Sequence, residues 1–118
     1  MRHNPIRILR NKCDALIQQI GLKNNKKCLV CGKKAEVMHH FILKSLSNAL
    51  RYDWFNLIPL CNSCHFKNHK GDFEIAAIIT QKKGKDWLNY LRKKRRDYIQ
   101  TNLKYYQSIF LKLSQIKI

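Results

Sequence analysis

Four cysteines and four histidines fall within residues 28–69, spaced as metal ligands are spaced. Cys28-x-x-Cys31 opens the run and the pair His39-His40 follows. After Asn56, Cys61-x-x-Cys64 leads straight into His65 and then His69. A Cys-x-x-Cys turn delivers two thiolates to one ion, and two such turns complete the tetrahedron that Zn²⁺ prefers. Cys28, Cys31, Cys61 and Cys64 therefore predict one structural zinc. His65 adjoins Cys64 as an alternative ligand, but four thiolates already fill the site. His65 and His69 stand four residues apart in a predicted helix, so they share a face and can chelate a second cation. His40 is placed at the end of a predicted strand, facing that helix. A lone histidine is ordinarily structural or solvent-exposed; this concentration beside a zinc staple points to chemistry instead.

Composition narrows what that chemistry is. The 118 residues fit one domain with extensions, and 45% hydrophobic content supports a modest core that a structural metal helps to hold. Lys and Arg number 24 against 7 acidic residues, a net charge of +17. Such a chain is drawn to polyanions, because neutralised phosphates release condensed counterions. A ribosome-associated protein or a merely solubilising surface would carry the same sign. The acids Asp14, Glu36, Asp53, Asp72, Glu74, Asp86 and Asp97 are scattered singly. That excludes the carboxylate sets that hold two magnesium ions in many nucleases and polymerases, and leaves histidine to ligate any catalytic metal. Met1-Arg2-His3-Asn4-Pro5 has no apolar run of signal-peptide length, and no stretch approaches the roughly 20 apolar residues of a membrane span. The expected setting is a reducing cytoplasm, where paired cysteines bind metal rather than each other. Cys13, among apolar neighbours, reads as a buried structural thiol.

The elements that must position these residues follow from periodicity and punctuation. Residues 6–20 repeat apolar side chains at helical steps, with Pro5 suited to the first turn and Gly21 to the terminator. A basic connector, residues 23–27, leads into the first knuckle. Residues 36–42 and 57–60 read as short strands, joined by a segment long enough to be functional. Cys61-Asn62-Ser63-Cys64 should turn into a short helix reaching about His69, closed by Gly71. Asp72 then caps a helix from Phe73 to about Lys83, with Gly84 as a break. From Asp86 onward, Trp87, Leu88, Leu91, Tyr98, Ile99, Leu103, Tyr106 and Leu113 lie on one stripe. This reads as a long amphipathic C-terminal helix that packs on the domain or pairs with a second copy. The expected fold class is α+β: a zinc-stapled core at residues 25–71, preceded by an N-terminal helix (1–24) and followed by a basic helical extension (72–118).

The order Cys-x-x-Cys, His39-His40, Asn56-Leu57-Ile58-Pro59-Leu60-Cys61-Asn62-Ser63-Cys64-His65 and His69 resembles the HNH endonucleases, whose core is the ββα-metal fold. The resemblance implies that His40 is the general base and that Asn56 orients it. It also implies that His65 and His69 hold one divalent ion, Mg²⁺, Mn²⁺, Zn²⁺ or Ni²⁺. His39 occupies the slot of a further ligand, as in colicin-type nucleases. Adjacent strand residues face opposite ways, so His39 and His40 both serve only if the strand bends there. Residues 9–20, His40-Phe41-Ile42, Arg51-Tyr52-Asp53 through Asn56, the second knuckle and His69-Lys70-Gly71 look like the NinG/Rap recombination nucleases. That likeness implies cutting of branched DNA, including Holliday junctions and D-loops, near the nucleoid of a bacterial or phage-infected cell.

Phosphodiester hydrolysis needs an activated water, a neutralised phosphate and a stabilised leaving 3′-oxygen. Surrounding positive charge should depress imidazole pKa values and keep His40 neutral as a base. Arg51, Lys67 and Lys70 flank the site as phosphate contacts. Lys93, Lys94, Arg95 and Arg96 form either a second backbone contact or a solvated helix face. Trp54 and Phe55 either pack in the core or stack on an unpaired base. The implied partner is DNA, branched or partly single-stranded, with no membrane and with a homodimer possible. The competing reading is a zinc-stabilised module that binds nucleic acid without cutting it.

Overall fold

The structure, a computed structural model, describes residues 4–116. Helix α1 runs Pro5–Asn24. Asn4 caps it by accepting the Arg7 N–H at 3.1 Å, and Pro5 sits in the first turn, where no N–H is needed. The helix does not stop at Gly21. It continues to Asn24, after which the Asn25 N–H and side-chain amide both donate to the Gly21 carbonyl at 2.9 Å. Gly21 serves another purpose: a Cβ there would lie 2.5 Å from Met38 Cγ. It lets the helix approach the sheet.

Strands β1 (Val37–His40) and β2 (Leu57–Leu60) pair antiparallel, with Met38 opposite Pro59, His39 opposite Ile58 and His40 opposite Leu57. β2 coincides with the expected strand, whereas β1 is only the middle of residues 36–42. Pro59 has no N–H, and it sits where alternate backbone groups point out of the ladder. Its partner Met38 likewise turns outward, and Gln18 of α1 bonds both its N–H and its carbonyl at 2.8 Å. The segment between the strands ends in a 3₁₀ turn, Trp54–Asn56, capped by Asp53 through the Phe55 N–H at 2.9 Å.

Helices α2 (Asn62–His69) and α3 (Phe73–Lys83) follow, and Asp72 caps α3 through the Glu74 N–H at 3.0 Å. The C-terminal stripe does not form one helix. α4 (Lys85–Lys94) and α5 (Leu103–Ser114) are separate. Asn48 accounts for the break: it donates to the Ile99 carbonyl at 2.6 Å and accepts the Ile99 N–H at 3.2 Å, occupying both groups a helix would use. Asn102 then caps α5 through the Tyr105 N–H at 2.9 Å.

Two apolar clusters sit on the sheet. Ile58 and Leu60 pack with three of the cysteines and with Ile75 and Ile79 of α3. Met38 and Leu57 pack with Cys13, Ile17 and Ile20 of α1 and with Leu113 of α5. Fully buried Ile17, Ile58, Leu60 and Ile79 contribute about 1.5–3 kcal/mol each. α5 therefore turns back onto α1 of its own chain, using the stripe internally. Cys13 is fully buried, with its thiol toward the Tyr106 carbonyl at 3.6 Å. No described helix is long and apolar enough to cross a membrane.

Candidate active site

The first knuckle is a tight turn between paired residues: Lys27 bridges Lys34, Cys28 N–H donates to the Lys33 carbonyl at 2.6 Å, and Gly32 takes a φ of 78°. The second knuckle begins α2, with Cys61 as its N-cap accepting the Cys64 N–H at 3.4 Å. Together they bring Cys28, Cys31, Cys61 and Cys64 into one group whose sulfurs all lie within 4.8 Å of one another. A tetrahedral zinc with bonds of about 2.3 Å needs sulfurs about 3.8 Å apart; Cys31 and Cys61 are 3.6 Å apart. Burial pushes the Cys28 thiol up, but N–H groups of Cys31, Cys61 and Val30 outweigh it and hold it at about 7. Burial and the neighbouring sulfurs push Cys64 far above its ordinary value. Crowding four thiolates is unfavourable without a cation and favourable with one, so the donor set fits zinc.

A second group forms between β1 and α2. His39, His65 and His69 place ligand nitrogens within 4.8 Å of one another, and the Nε2 atoms of His65 and His69 are 2.9 Å apart. Two imidazole nitrogens that close share either a proton or a cation. His39 is buried, and burial, reinforced by His65, His69 and His40, lowers its pKa to about 4. Burial and His69 also lower His65. Three imidazoles converging within 4.8 Å of one another suit a divalent ion. The Asn68 amide reaches His39 Nε2 at 3.2 Å. The sequence offered no signal for that contact, since an asparagine inside a helix has no distinguishing spacing.

His40 lies outside this group but lines the same cleft, of about 260 Å³, with His39, His65 and His69. Four successive β1 residues and Gln18 of α1 also line it, so the cleft follows the strand's outer edge. His39 and His40, although consecutive in the strand, both line it. His40 Nε2 lies 2.9 Å from the Arg51 carbonyl. A carbonyl only accepts, so the neutral ring carries its proton on Nε2 and leaves the Nδ1 lone pair free. Burial, with Lys44 and Arg51 nearby, lowers the His40 pKa against the opposing pull of the carbonyl. Asn56 is completely buried and bridges the loop. It accepts the Ile42 N–H at 2.7 Å and donates to the carbonyls of Ile42 and Leu50 at 3.0 and 3.2 Å.

Residues 28–71 match the HNH endonuclease family model. No curated protein and no solved structure matches the chain. The matched segment begins at the first knuckle cysteine and ends just past His69, so it holds the cysteine group, the histidine group, His40 and Asn56. Around it, the cations sit in unequal settings. Lys67 and Lys70 are exposed beside His65 and His69 in sequence, with Lys70 over the Phe66 ring at 4.9 Å. Arg51, expected as a free phosphate contact, is bound through its guanidinium to Asp14 of α1. Lys94 pairs with Asp97 at 3.5 Å, while Lys93, Arg95 and Arg96 are exposed. Trp54 and Phe55 are not core residues: they are 38% and 63% exposed, and Phe55 stacks edge-on against Tyr90.

Proposed function

We propose that this protein is a metal-dependent DNA endonuclease that hydrolyses phosphodiester bonds, with His40 as its general base. The observation that carries this reading is one cleft lined both by three clustered imidazoles and by a fourth whose Nε2 is committed to a carbonyl. With its proton on Nε2, His40 offers Nδ1 to a water in the cleft. The water oxygen attacks phosphorus as Nδ1 takes its proton; the P–O3′ bond breaks and its electron pair leaves on the 3′-oxygen. His39, His65 and His69 would hold the divalent ion, which supplies charge neutralisation to the phosphate and the departing oxygen. A depressed imidazole pKa keeps His40 competent as a base at neutral pH. Asn56 holds the Leu50 carbonyl, one residue from the carbonyl that orients His40, and so keeps base and loop in register.

The substrate class we assign is branched DNA, such as Holliday junctions and D-loops. It rests on the likeness of residues 9–20, 40–42 and 51–56 to the NinG/Rap nucleases. The exposed faces of Trp54 and Phe55, on which an unpaired base can stack, support it. The test is incubation with four-way junction, flap, single-stranded and linear duplex DNA across Mg²⁺, Mn²⁺, Ni²⁺ and Zn²⁺. Nicking should require the ion, be fastest on the junction, and fall about 10²–10⁴-fold in His40→Ala while zinc content and melting are unchanged. Undiminished cutting by His40→Ala would overturn the base assignment. Binding of every DNA with cleavage of none would identify a zinc-stabilised binding module instead.

A further inference from the structure

A second cleft, of about 380 Å³, adjoins the histidine cleft and shares Lys44 with it. Its lining comes from two separate parts of the chain. Lys44, Ser47 and Asn48 belong to the loop between the strands, and Arg95, Arg96 and Asp97 to the link between α4 and α5. Asn48 fixes the two parts together through its paired bonds to the Ile99 backbone. Three cations line the cleft, and its one carboxylate, Asp97, is engaged by Lys94 Nζ at 3.5 Å. Ser47 is only 6% exposed, yet its buried hydroxyl has no hydrogen-bond partner among the described residues. Buried hydroxyls are rarely left unpaired, so this one, at the wall of the cleft, is a donor free to take a partner.

We propose that this cleft binds a backbone phosphate of the DNA strand, separate from the phosphate over the histidines. Ser47 donates its O–H to a phosphate oxygen, while Lys44, Arg95 and Arg96 neutralise the charge. Because Lys44 borders both clefts, one strand crossing it presents one phosphate to each. The arginines lie beyond residues 28–71, so the C-terminal extension contributes to the substrate path of the HNH segment. This inference rests on the nuclease reading only for which phosphate lies over the histidines.

The test is a binding titration of a short labelled DNA duplex over a range of salt, without divalent ion. Because binding is read without cleavage, an absence of nicking in the substrate panel leaves the result interpretable. Ser47→Ala should weaken binding about 5–10-fold with no change in net charge. The Arg95→Gln/Arg96→Gln pair should reduce the slope of log affinity against log salt by about 2. Lys112→Gln, on the exposed side of α5, controls for lost charge and should leave affinity within about twofold. If Ser47→Ala melts early, Ser47→Cys keeps the volume with a much weaker donor and repeats the test. Parent-like affinity in the Ser47 variants, or an arginine-pair slope no different from that of the control, overturns the proposal. So does a Ser47 effect seen only on competition by inorganic phosphate, which would mark a free-phosphate site.

Discussion

Alanine at Gly21 should destabilise the protein, although alanine in a helix interior normally gains about 1 kcal/mol over glycine. The added Cβ would meet Met38 Cγ at 2.5 Å, and Met38 is itself 2% exposed, with its backbone held by Gln18. Overpacking of this kind costs about 1–3 kcal/mol. Shortening the neighbour in Met38→Ala should reverse the sign, so that Gly21→Ala then stabilises. Urea midpoints of the four proteins decide it; equal effects in both backgrounds would show that Met38 is not the obstacle. Gly21 also shows what was legible residue by residue. The grouping of the knuckle cysteines, and of His65 with His69, could be read because their spacing is local. Gly21 was misread as a terminator because its reason lies 17 positions away in Met38. Asn68 and Ser47 could not be read at all: only the tertiary fold brings one to His39 and leaves the other unpaired.

Between elements, the pair Asp14–Arg51 ties α1 to the loop that orients His40. Burial raises the Asp14 carboxyl, but the Arg51 guanidinium more than offsets this and holds its pKa below the usual carboxylate value. A depressed folded-state pKa contributes stability that is fully present above the unfolded value, about 3.9, and is lost as pH falls through the folded value. Asp14→Asn should therefore cost about 1–2 kcal/mol at pH 7, leaving a half-buried guanidinium without its partner. The difference from the parent should shrink steadily below about pH 4. Denaturant midpoints of both proteins across that range test it; a gap unchanged at pH 2 would assign the loss to something other than the ion pair. The elements themselves were legible where punctuation is local: Asp72 caps α3, and Gly84 ends it with a φ of 94°. The interruption between α4 and α5 was not. Leu91 and Tyr98 are seven residues apart, so the apolar period runs across the break, and the residue responsible, Asn48, lies in a distant loop.

At the scale of the molecule, the charge of +17 could be read directly, but its distribution could not. Arg95 and Arg96 line the cleft beside Lys44 only because Asn48 draws their segment against the strand loop. The same surplus of cations should make salt act in opposite directions on stability and on binding. Among the described residues only Arg51–Asp14 and Lys94–Asp97 form ion pairs, so added salt has few attractions to weaken and many repulsions to screen. Raising NaCl from about 0.05 M to about 0.5 M contracts the screening length from roughly 14 Å to roughly 4 Å, which suppresses repulsion between all but the nearest cations. The melting temperature of the free, zinc-loaded protein should rise by several degrees. Over the same interval DNA affinity should fall about 10³-fold or more, because counterions released by the duplex are no longer favoured to leave. Thermal melts and anisotropy titrations on one preparation measure both responses. A melting temperature that falls with salt would mean that attractive networks, rather than the two pairs and unscreened repulsion, dominate the free protein's electrostatics.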